Sequence, residues 1–68
     1  MKNMGHAVRR HRKAMQMNQA ALGRKAGTSG SHISNIERGN HWPAMPLYLR
    51  LCAIFNKPLP PLTETDPS

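Results

Sequence analysis

The chain has little acid, one cysteine and almost no aromatic surface, and each shortage excludes something. Its acidic residues are Glu37, Glu64 and Asp66. Glu37 stands alone in the body and the other two lie in the tail, so no pair of carboxylates is available for acid–base catalysis. The single cysteine, Cys52, excludes an internal disulfide and points to a reducing cytoplasm. It lies in an apolar stretch with no activating base beside it, which favours a core role over a nucleophile. With one Trp, one Tyr and one Phe, the chain lacks a platform on which unpaired RNA bases stack. No apolar run approaches the roughly 18 residues that cross a bilayer. Met1-Lys2-Asn3 leads into no signal-like core, so the expectation is a soluble cytoplasmic protein without membrane contact. There is no glycine-rich phosphate loop, and His6, His11, His32 and His41 lack metal-ligand spacing. A protein without metal or cofactor, and not an enzyme, is expected.

What is present is basic charge. All ten Lys and Arg lie within residues 1–57, against Glu37 alone, so the body carries +9. Such a field attracts a polyanion, whereas a surface serving only solubility mixes both signs. Sixty-eight residues make one small domain, near the lower limit for burying a core. The division expected is a folded domain over 1–58 and a proline-containing tail over 59–68.

Helical signals fill the body. Met4, Val8, His11 and Met15 recur at helical spacing and predict a helix over 3–15 with that stripe inward. Asn18 can cap a helix over 19–26, which Gly27 stops by taking the left-handed backbone. Thr28 and Ser29 supply a second cap, for a helix over 30–38 with Ile33 and Ile36 inward and Gly39 at its end. A helix from about Met45 to Asn56 tolerates Pro46 in its first turn. Tyr48, Leu51, Cys52 and Phe55 are expected to complete the core from it. Leu47 and Ile54 are expected on its uncovered flank, the mark of a helix that meets a partner. No strand pattern competes.

Two short helices joined by a tight glycine turn in a basic chain are the ingredients of a DNA-reading helix-turn-helix. The chain resembles the Cro/C1-type, lambda-repressor-like helix-turn-helix family. Met4-Gly5, Val8-Arg9 and Arg12 are similar to the family's first helix, and Asn18-Gln19 with Leu22 to its second. Ser29, then Ile33-Ser34-Asn35-Ile36-Glu37-Arg38-Gly39, is similar to the third and is the most specific part. Pro43, Met45 and Leu49 to Phe55 resemble the fourth. The resemblance covers roughly residues 4–59 and implies a compact all-α fold of four, at most five, helices.

The resemblance also implies roles. Ser29, Gly30, Ser31 and Asn35, with His32 beside them, would face bases in the major groove. Asn35 is the best reader, since an amide that donates and accepts matches adenine N6 and N7. Gly30 departs from the long Gln or Arg common there. Either the backbone comes closer to DNA, or DNA shape and dimer spacing carry more of the recognition. Asn18 and Gln19 would hold a phosphate at one helix start, and Arg38 and Asn40 another. Arg12 and Glu37 would form a structural ion pair. Leu47, Arg50, Ile54 and Leu59 would form a homodimer interface. The function expected is a homodimeric repressor or autorepressor of a small phage or mobile-element operon, bound to an inverted repeat in double-stranded DNA. The alternative is an antitoxin whose fourth helix and tail mask a toxin while it also binds its operator.

Overall fold

The computed structural model describes residues 2–60. The part of the expected tail from residue 61 onward lies outside the described residues. There are four α-helices, α1 (Lys2–Ala14), α2 (Gln19–Ala26), α3 (Gly30–Glu37) and α4 (Met45–Phe55), and no strand among the described residues.

Local chemistry sets each boundary. Asn18 accepts the Ala21 N–H at 2.7 Å to open α2. Gly27, at φ 75°, closes α2, and the Thr28 N–H donates to the Gly23 carbonyl at 2.8 Å. Ser29 Oγ accepts the His32 N–H at 3.1 Å to open α3, and Gly39 turns the chain away at φ 84°. α4 has no side-chain cap, but Pro46 occupies its first turn and needs no N–H partner there.

α2 and α3 pack mainly on each other, with α1 across α3 and α4 against α2 and α1. Met4, Val8, Leu22, Ile33, Ile36 and Leu51 are fully enclosed at the centre. Burying such side chains stabilises the fold by about 1.5–3 kcal/mol each, which a chain this short needs.

Three expectations about the core are corrected. Met15 is 44% exposed, because α1 ends at Ala14 and Gln16 turns the chain in the left-handed region at φ 59°. Leu47 is buried, because the inner stripe of α4 runs Leu47, Leu51, Phe55 at i, i+4, i+8, leaving Tyr48, Cys52 and Ile54 half-buried beside it. Leu59 is buried too, so the core extends one residue past the expected boundary at 58. The chain folds back after α4 at Asn56 (φ 53°), and the Tyr48 hydroxyl donates to the Leu59 carbonyl at 3.0 Å. The large apolar residues that α4 exposes are Met45 and Leu49, the latter at 58%.

Gly5 is a constraint that the sequence pattern did not single out. A Cβ there would sit 2.5 Å from the Glu37 carbonyl oxygen and 2.6 Å from that of Ile36. The first helix therefore crosses the end of α3 at backbone contact. Gly5→Ala improves helix propensity by about 1 kcal/mol but pushes the two helices apart. A net loss of about 1–3 kcal/mol in urea unfolding is expected; a gain in stability would mean that this crossing tolerates a methyl group.

Candidate nucleic-acid interface

The surface that brings most of the expected site residues together lies where α2 and α3 meet. Two glycines let them meet closely. A Cβ on Gly23 would lie 2.6 Å from the Ser29 carbonyl carbon, and one on Gly30 would lie 3.0 Å from the Ala20 Cα. Gly30, expected to act only through what it offers DNA, thus also has a packing reason. Beside Gly30 lies a depression of about 540 Å³, lined by Gln19, Ala20, Gly30, Ser31, Ser34, Asn35 and Arg38. Ser34 was not among the expected readers. Its signal was available, since positions 30, 31 and 34 share a helix face.

Behind the depression lies a charged network. Arg12 Nε donates to Glu37 Oε2 at 2.6 Å and Nη2 to Oε1 at 3.1 Å, a bidentate pair whose side chains are almost fully buried. Arg12 Nη1 donates to the Met17 carbonyl at 2.9 Å, which ties the turn after α1 into the same pair. The hydrogen bonds to Glu37 raise the Arg12 guanidinium pKa above its usual value, against the opposing effect of burial. The Arg12 guanidinium therefore keeps its charge at every working pH. Gln19 joins the network, donating Nε2 to Glu37 Oε1 at 3.1 Å. One amide hydrogen of Gln19 is thus taken by the network, and the other remains for an outside acceptor.

Several other expected contacts have internal partners. Asn18 Oδ1 and Ser29 Oγ are the caps of α2 and α3. Arg38 Nη2 donates to Asn35 Oδ1 at 3.3 Å. The Asn40 N–H donates to the Asn35 carbonyl at 2.9 Å, while the residue itself is exposed. His32 stands 6.2 Å from His41, ring centre to ring centre. On the far side, Arg50 Nη1 donates to the Ala26 carbonyl at 3.4 Å. The His11 ring lies 5.3 Å from that of Phe55, and burial there lowers its pKa, with Arg10 and Lys57 adding to the shift. Among the described residues no cluster of His, Cys, Asp and Glu could hold a metal ion, and no helix is long and apolar enough to cross a membrane.

Residues 3–64 match the helix-turn-helix domain family, and the chain belongs to it. Its fold is that of the Cro/C1-type, lambda-repressor-like domains, and fold and family are those of DNA-binding transcriptional regulators. The P22 c2 repressor, in its crystal structure with the synthetic operator 9T and Tl+, is 33% identical over 84% of this chain and 86% of that one, with a TM-score of 0.79. No curated protein matches the chain significantly.

Proposed function

We propose that this protein is a repressor that binds an inverted-repeat operator in double-stranded DNA as a homodimer, with one α3 in each half-site. The observation that carries the reading is the depression between α2 and α3, bordered by Gln19, Ser31, Asn35 and Arg38 on a body of charge +9. Ser29, Gly30, Ser31, His32 and Asn35 face the bases. Asn18 and Gln19 at the start of α2, and Asn40 beyond α3, hold phosphates, where a helix N-terminus already favours an anion. Repression follows from occupying a promoter in a small phage or mobile-element operon, the protein's own promoter included.

The dimer forms through the outward face of α4. Leu47 and Leu59 are enclosed in the monomer, so the interface consists of Met45, Leu49 and Ala53, with Ile54 at its edge. Arg50 is the only charge between residues 45 and 55. Two copies of a strongly basic body approach most easily where that charge is absent. The same exposed Met45 and Leu49 would serve an antitoxin that docks a toxin, although that reading loses the support of Leu47 and of the start of the tail.

Duplexes selected from a random pool test the reading by mobility shift. Selected inverted repeats should bind at least ~10³-fold more tightly than random duplex. Affinity should fall with salt by a log–log slope of about −0.9 per phosphate held. Equal affinity for all duplexes, or a preference for single-stranded RNA, would contradict it.

A further inference from the structure

We propose that Asn35 and Arg38 act as a single reading head, and that this head selects guanine. The inference deepens the operator-binding reading above and rests on it. Residues 35 and 38 are neighbours on one helix face, and both line the depression. The other α3 side chains around it are Gly30, Ser31 and Ser34, all too short to reach far. Asn35 and Arg38 therefore provide the long polar reach of this face.

Their mutual hydrogen bond fixes what they can offer. A guanidinium carries only donors, so the Asn35 atom facing Arg38 Nη2 at 3.3 Å must be the carbonyl oxygen. Asn35 is half-buried, which limits how freely its amide can turn. With one lone pair of that oxygen taken by Arg38, the head presents the Nδ2 hydrogens, the remaining guanidinium N–H groups and a single lone pair of Oδ1. Donors outnumber the acceptor.

A free asparagine suits adenine, donating to N7 while accepting from N6. A head in which donors outnumber the acceptor suits adenine less well. Guanine offers two acceptors, N7 and O6, on its major-groove edge. Adenine and cytosine set an amino donor against the head, and thymine offers the single acceptor O4. Nothing diverts Arg38 from this role. Glu37 is the one acid among the described residues, and Arg12 and Gln19 occupy it. Arg38 thereby moves from the phosphate contacts to the base contacts.

The test compares duplexes selected by the wild type, by Asn35→Ala and by Arg38→Ala. The position whose preference Asn35→Ala erases is the one the head reads. Wild type should hold guanine there and lose at least ~5-fold in affinity when it becomes adenine or 7-deazaguanine. Arg38→Ala frees the amide oxygen, so the preference at that position should move toward adenine. Wild type selecting adenine there would overturn the proposal. So would an Arg38→Ala variant that weakens every duplex equally while keeping guanine, since Arg38 would then hold only a phosphate. If no sequence is selected at all, the operator reading falls first and the head falls with it.

Discussion

Leu49→Glu is expected to convert the proposed dimer to folded monomers and to lower operator affinity by ~10²–10⁴-fold, the advantage of holding two half-sites together. Leu49 is 58% exposed on α4 and is not one of the enclosed core residues, so a glutamate there leaves the monomer fold intact. Across a two-fold axis it sets two carboxylates against each other in the apolar patch. Sedimentation at micromolar concentration gives the mass, and circular dichroism shows whether each monomer remains helical. Wild type and variant sharing one mass would remove α4 as the interface. The contact proposed would set the two recognition helices about 34 Å apart, one turn of DNA.

Glu37→Ala is expected to cost about 3–5 kcal/mol, because Arg12 keeps its charge in a buried site with no counterion. Native domains are stable by only about 5–15 kcal/mol, and one this small has little in reserve. Much of the variant should therefore be unfolded at 37 °C. Replacing Arg12 and Glu37 together by Met and Leu should recover most of the loss, since a buried ion pair adds little over apolar side chains of similar size. Urea titrations of the two single variants and the double variant give the coupling directly. Additive losses would show that the pair positions nothing. The geometry suggests a further effect. Gln19 Nε2 is held by the same carboxylate, so the double variant, although folded, should bind all duplexes more weakly through its loosened phosphate contact.

The sequence reveals those parts of this fold that depend on neighbours along the chain. Asn18, Gly27 and Ser29 act within one turn of themselves, and the span expected for α2 matches the one observed. The fourth helix was recognisable, but which of its faces turns inward was not. Seven of the nine residues from Leu47 to Phe55 are apolar, counting Cys52, so periodicity separates inner from outer poorly there. The choice was made by Leu59 returning over α4 and by Tyr48 holding its carbonyl, contacts eleven residues apart. Met15 was misplaced for a local reason, since its stripe ran on beyond the left-handed turn at Gln16.

The site divides in the same way. Arg12 and Glu37 could be paired from the family resemblance and from the scarcity of acid. The hydrogen bond from Gln19 to Glu37 carries no signature in composition or spacing, and only the relative placement of α2 and α3 shows it. That from Arg38 to Asn35 spans i, i+3, a spacing the sequence does display, although not which atoms meet. Both decide which atoms remain for DNA.

Footprinting the purified protein on the DNA upstream of its own gene shows whether the proposed dimer binds duplex DNA sequence-specifically. Two protected half-sites of inverted sequence, one helical turn apart and saturating together, are the expected result. Uniform weak protection along the whole fragment, or none, would contradict it.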